Sequence, residues 1–121
     1  MTTASSSFPD ELPADLPGAV RAYLAAQSAR DAEAAVRACT PDVVVLDDGH
    51  TYRGPDDLRR FVTDAGSEFT YTTTLLGAER VDDTHWVVTH HLEGDFPGGV
   101  VDLRYRFALE GGLIAELVIA P

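Results

Sequence analysis

Apolar positions repeat at helical spacing in the first half of the chain and alternate with polar ones in the second. Val20, Tyr23, Leu24 and Gln27 fall at i, i+3, i+4 and i+7, one face of a helix, with Asp15 as its expected N-cap and Pro17 in its first turn. Asp31 is placed to cap a second helix, in which Ala32, Ala35, Val36 and Cys39 repeat that spacing until Pro41 ends it. Residues 43–46 are apolar on both faces, as a covered strand is, and Asp47-Asp48-Gly49 supplies a turn that returns the chain as a short partner strand over 51–53. Gly54-Pro55 then opens a third helix with Leu58, Phe61, Val62 and Ala65 on one face and Gly66 as its stop. Beyond it, 69–78, 84–96, 100–109 and 113–120 read as strands, divided by Asp82-Asp83, Pro97-Gly98-Gly99 and Gly111-Gly112. Turns that short imply an antiparallel meander, so the expected class is α+β, with a curved sheet covering its own helices.

Strand parity sorts the polar residues. Val101, Leu103, Tyr105, Phe107 and Leu109 share one face, which leaves Asp102, Arg104, Arg106 and Glu110 on the other, an outer face or a subunit contact. Turned inward instead, Asp102 and Arg104 would suit epoxide opening. In the preceding strand Trp86, Val88, His90 and Leu92 share a face, so an inward Trp86 carries His90 inward with it. A histidine there is either a hydrogen-bonded core residue or a proton carrier.

Composition narrows the partners. With 121 residues the chain fits one domain, expected over 15–121, after a Ser-, Thr- and Pro-rich tail, 1–14, that can bury little and is expected to be disordered. Nine Arg and no Lys face 20 Asp and Glu, a formal charge of -11, which opposes nucleic acid and anionic lipid. No apolar run is long enough to span a membrane, and the first residues lack the basic start and apolar core of a signal peptide, so a cytoplasmic location is expected. Cys39 is the only cysteine, so it cannot form an intramolecular disulfide; a buried core thiol is expected. His50, His85, His90 and His91 form no helical metal motif, and neither a metal nor another cofactor is expected.

Three pieces carry a family resemblance: V-R-A-Y-L-A-A-Q-S-A-R-D in the first helix, D-V-V-V-L-D-D with the following R-G-P-D-D-L-R-R-F, and Y-R-F-A-L-E-G-G-L-I near the end. Over about Leu16 to Ala120 the chain resembles the nuclear-transport-factor-2-like superfamily, which includes ketosteroid isomerase and the SnoaL-type polyketide cyclases. The resemblance implies a cone: a curved antiparallel or mixed sheet wrapped around the three helices and enclosing a pocket. It says little about activity, because that fold hosts isomerases, cyclases, hydratases, epoxide hydrolases and binding modules.

Carried over by residue, the resemblance puts Tyr23 where the isomerase keeps an oxyanion-hole tyrosine and Asp47 where it keeps its general base. The isomerase's second oxyanion donor, a protonated aspartic acid, aligns with Leu103 here, and Asp102 lies one residue away, on the opposite face. Glu116 aligns with a pocket-facing position, although both faces of its strand are mostly apolar and parity cannot choose between inward and outward. The implied function is an isomerase- or cyclase-type enzyme without a cofactor, moving a proton on an apolar carbonyl or polyketide-like metabolite. Asp47 is then the base, Tyr23 the donor to the developing enolate, His90 or Glu116 an auxiliary carrier, and Phe61, Tyr71, Trp86, Val88, Leu103 and Tyr105 the wall. Two other readings stand beside it: a non-catalytic binding or dimerisation module in the same cone, and epoxide hydrolysis through Asp102 and Arg104. A homodimer paired through the outer sheet face is the expected assembly.

Overall fold

The computed structural model describes residues 15–65 and 67–121. The expected tail and the Gly66 helix stop lie outside the described residues. Three helices, α1 (Gly18–Ala29), α2 (Ala32–Arg37) and α3 (Gly54–Asp64), lie against a sheet of six strands: β1 (Cys39–Asp47), β2 (His50–Arg53), β3 (Tyr71–Asp82), β4 (His85–Gly94), β5 (Val100–Glu110) and β6 (Leu113–Ala120). The strand order is β2-β1-β6-β5-β4-β3, antiparallel throughout except for the parallel pairing of β1 with β6. The sheet is open and mixed, and the α+β expectation holds. Register shifts in β1, β3 and β6 mark bulges, which bend a strand and sharpen its twist, and so help curl the sheet around the helices.

The helices form as the pattern requires, with two corrections. Pro17, not Asp15, sits at the N-cap of α1, and among the described residues no side chain caps that end. Cys39 belongs to β1 and pairs with Ile114 of β6, so α2 stops at Arg37, short of Pro41. Helical spacing placed Cys39 wrongly because its partner strand lies at the far end of the sequence. Asp31 does cap α2, its carboxylate accepting from the Ala34 amide at 3.1 Å. Arg30 ends α1 in the left-handed conformation, φ 54°, and its Nη1 donates to the carbonyls of Val62, Thr63 and Ala65, fastening α1 to the end of α3.

One core joins the layers. Trp86, Phe107, Leu117 and Val45 are neighbours across four strands and are all buried, while Tyr23 and Phe107 meet edge to face at 5.9 Å. Val20, Leu58, Phe61 and Val62 bring the helices onto this layer. The next inner row runs through Val88, Tyr105, Ile119 and Asp47. Fully apolar cores carry no carboxylate, and this row is where the core opens into a cavity.

Candidate functional site

Asp47 is delivered to the cavity by a tight turn. Asp48 and Gly49 have φ of 52° and 77°, so both central residues of the β1–β2 turn are left-handed, the two-residue hairpin geometry that matches strand twist. Asp and Gly are among the residues that accept it. The turn fixes Asp47 as the last inward residue of β1, opposite His50 and beside Ile119. Burial first, and then the adjacent Asp48 charge, hold its carboxyl above the usual aspartate range, while His50 opposes that rise.

A cavity of about 600 Å³ opens over this row. Asp47, Phe61, Tyr71, Leu103 and Tyr105 all line it, together with Gln27, Leu92, Phe96 and Ile119. Its wall is mostly apolar with a few polar groups, the composition of a small-molecule site. Tyr105 projects from β5, and burial pushes its phenol up to about 12. Its oxygen accepts from Gln27 Nε2 at 3.3 Å, which leaves the tyrosine's own proton available to another acceptor.

Tyr23 stands behind that wall. It is fully buried, its hydroxyl has no hydrogen-bond partner among the described residues, and the cavity lining does not include it. Burial raises its phenol well above the ordinary value, with smaller contributions from Cys39, Tyr105 and Asp47. Tyr23 and Asp47 therefore feel one another electrostatically without sharing an open surface.

The remaining expected site residues separate. His90 faces inward but on the far side of Tyr105, their rings 4.8 Å apart, and it lines a second cavity of about 660 Å³ between α1 and β3. Burial lowers its pKa, so the ring is neutral at neutral pH. Trp86 and Val88 face inward yet sit in the packed end of the cone and line neither of these cavities. Parity predicted their face correctly but could not give their depth. Glu116 is exposed on the outer face beside Ala108, so it is no partner for Asp47. Asp102 also faces outward, where its carboxylate lies 2.5 Å from His91 Nδ1, and this removes the epoxide reading.

Gln27 is the residue that the sequence reading missed as a site group. It was visible as the polar member of the apolar face of α1, four residues after Tyr23. Its Oε1 is buried without a partner among the described residues, although its Nε2 is engaged by Tyr105. Among the described residues no group of three or more His, Cys, Asp or Glu side chains could hold a metal ion, and no helix is long and apolar enough to cross a membrane. Cys39 is buried, and burial pushes its thiol up to about 12, as befits a core residue.

Known structures share this architecture. A protein from Sinorhizobium meliloti, provisionally named a polyketide cyclase, is 34% identical and superimposes with a TM-score of 0.78 over 88% of this chain and 96% of its own. A Catenulispora acidiphila protein with a ketosteroid isomerase-like fold, solved with trimethylamine, is 18% identical, with a TM-score of 0.73 over 87% of this chain and 85% of its own. A Mycobacterium tuberculosis protein in complex with estradiol-17β-hemisuccinate is also 18% identical, with a TM-score of 0.67 over 85% and 90%. At that identity the last two speak for the fold alone. Among curated proteins none matches this chain in sequence. Residues 20–117 match the sequence profile of the SnoaL-like domain, and the chain belongs to that family within the nuclear-transport-factor-2-like superfamily.

Proposed function

We propose that this chain catalyses proton transfer at a carbon beside a carbonyl, in an apolar, polyketide-like metabolite. The observation that carries the reading is Asp47: a carboxylate with a raised pKa on the wall of a cavity where apolar side chains outnumber the polar ones. A poorly solvated carboxylate with a raised pKa is a stronger base than an ordinary aspartate, so it is better suited to take a proton from a weak carbon acid. Tyr105 supplies the hydroxyl that meets the substrate oxygen, because Gln27 occupies its acceptor side. Tyr23 is the inner hydroxyl, reached only by a ligand that displaces part of the wall. As the proton moves to Asp47 its charge is neutralised while charge develops on the oxygen, so the total charge of the site does not change. The family match and the cyclase-named relative support this class of chemistry.

The test uses 2-tetralone, a bicyclic ketone with an acidic C–H, and follows deuterium uptake from solvent by NMR. The wild-type chain is expected to accelerate exchange over buffer, and Asp47→Asn to lower the rate at least ~10²-fold. Equal rates for the two would remove Asp47 as the base. Binding of 2-tetralone without any exchange would favour the second reading, a non-catalytic module, which the sealed hydroxyl of Tyr23 also suits.

A further inference from the structure

The Asp47 cavity has two carboxylates in its wall and no positive group to meet them. Asp47 and Asp48 line it, and among the described residues its lining holds no Arg, Lys or His. Residues 1–14 and Gly66 contain no basic side chain, so none can be added from outside the described residues. His50 lies opposite Asp47 in the hairpin, but it is exposed and does not line the cavity. Neither aspartate takes part in an ion pair among the described residues. The left-handed turn holds Asp48 exposed on the rim, next to Asp47 and close enough for its charge to be felt there. Aromatic rings form much of the remaining wall: Phe61, Phe69, Tyr71, Phe96 and Tyr105, with Phe96 edge to face against Phe69 at 6.1 Å and against Tyr71 at 6.5 Å. The negative faces of such rings attract cations.

We infer that the substrate is a cationic ketone, in which a quaternary or protonated ammonium group near the carbonyl is held between Asp48 and the aromatic wall. This names a substrate class for the proposed function and rests on that use of the Asp47 cavity. When the C–H bond breaks, its proton goes to Asp47 and its electron pair to the carbonyl oxygen, so an enolate forms in a cavity that still carries the Asp48 charge. Two negative charges then share a partly buried site. The neutral Tyr105 hydroxyl supplies a hydrogen bond there but no charge. A cation on the substrate offsets both charges, and it does so most strongly once the enolate develops, which is the state that catalysis must favour. The formal charge of -11 also draws cations to the chain from solution. A neutral ketone gains neither effect, and an anionic one meets like charge.

The probes are N,N,N-trimethyl-2-(2-naphthyl)-2-oxoethanaminium and its uncharged isostere 3,3-dimethyl-1-(2-naphthyl)butan-1-one, in which carbon replaces the nitrogen, with affinities measured by calorimetry. The wild-type chain is expected to bind the cation roughly tenfold more tightly than the isostere, with the gap shrinking as salt is raised. Asp48→Asn should remove most of that gap and leave the affinity for the isostere unchanged, since asparagine also accepts the left-handed φ of 52° at this position. Glu116→Gln makes the same change in net charge on the outer face and should keep the gap. An isostere bound as tightly as the cation by the wild-type chain overturns the inference without reference to any variant. A gap that survives Asp48→Asn, or that Glu116→Gln narrows equally, overturns it as well, because the charge of the whole chain and not the cavity would then be drawing the cation. These are binding measurements: a failure of Asp47→Asn to slow exchange would strike the catalytic reading and leave the cation preference standing, and 2-tetralone exchange without that preference would do the reverse.

Discussion

Asp47 and Tyr105 flank Ile119 on one inner row of the sheet, a separation of two strand spacings, ~10 Å between Cα atoms. That gap is wide enough for a ring between them and short enough for both to touch it. The site thus takes its width from strand spacing and its polarity from two positions that the β1–β2 turn and the β5 register fix independently.

Asp47→Asn should move activity and stability in opposite directions. The native carboxyl has a raised pKa, so above that pKa the folded state carries an ionisation cost that the unfolded chain does not. The cost vanishes as pH falls through the native pKa toward the unfolded value. Asparagine removes it, so Tm at neutral pH should rise in thermal denaturation while the exchange rate falls. In the wild type the acid limb of the rate profile should lie above the ordinary aspartate range. A Tm that falls at pH 7 would contradict the burial argument.

Glu116 gives the contrasting case. It stands exposed on the outer sheet face, so Glu116→Gln should leave 2-tetralone exchange within about twofold of wild type, as for surface changes away from a site. A large loss would mean that the outer face communicates with the cavity.

Much of this could be read from the chain. The α1 stripe and the parity of β4 and β5 correctly placed the helix face, the inner row and the outward Asp102. What could not be read was depth and closure. Trp86 and His90 share a face by parity, but only the curl of the sheet buries one under the helices and leaves the other beside a cavity. Cys39 looked helical because its strand partner, Ile114, lies 75 residues away. Glu116 was undecidable because Ala115, Leu117 and Val118 make both faces of β6 apolar, and the register that settles it depends on the neighbouring strands.

Gln27→Leu should separate a site role from a structural one. The change removes a long hydrogen bond, worth about 1 kcal/mol, and also an unpartnered buried acceptor, whose burial costs about 1–3 kcal/mol. Stability in urea should therefore be unchanged or slightly raised. Exchange should still slow by roughly tenfold, because Tyr105 loses the donor that fixes its proton toward the cavity. If stability falls and exchange does not, Gln27 is a packing residue.

Gly94 holds the edge of the cavity by having no side chain. A Cβ there would press on the Thr70 carbonyl oxygen, which the Asp95 amide holds, and would lie 2.5 Å from the Tyr71 Cβ, which the β3–β4 pairing fixes. Backbone atoms cannot give way as a flexible side chain can, so Gly94→Ala should cost at least about 2 kcal/mol in chemical denaturation. Ligand binding should weaken with it, since Phe69 and Tyr71 would be displaced from the wall. A fully stable Gly94→Ala chain would mean that β3 can shift along β4 without penalty.

His90 and His91 are adjacent in sequence and opposite in titration. His90 is turned inward, where burial lowers its pKa. His91 is turned outward, its Nδ1 2.5 Å from Asp102 and its Nε2 2.9 Å from Glu93, and these hydrogen bonds, Asp102 first, raise its pKa. In an NMR titration one midpoint should fall below the ordinary histidine value and the other above it. Asp102→Asn should bring the His91 midpoint down and leave His90 in place, because a strand separates the two environments as completely as it separates the two faces. The stability that His91 contributes is full below the unfolded histidine pKa and is lost as pH rises through the raised native value. The Asp102→Asn chain should therefore lose its disadvantage against wild type as the pH is taken from mildly acidic to alkaline, and an unchanged stability difference across that window would show that the ion pair forms only weakly in solution.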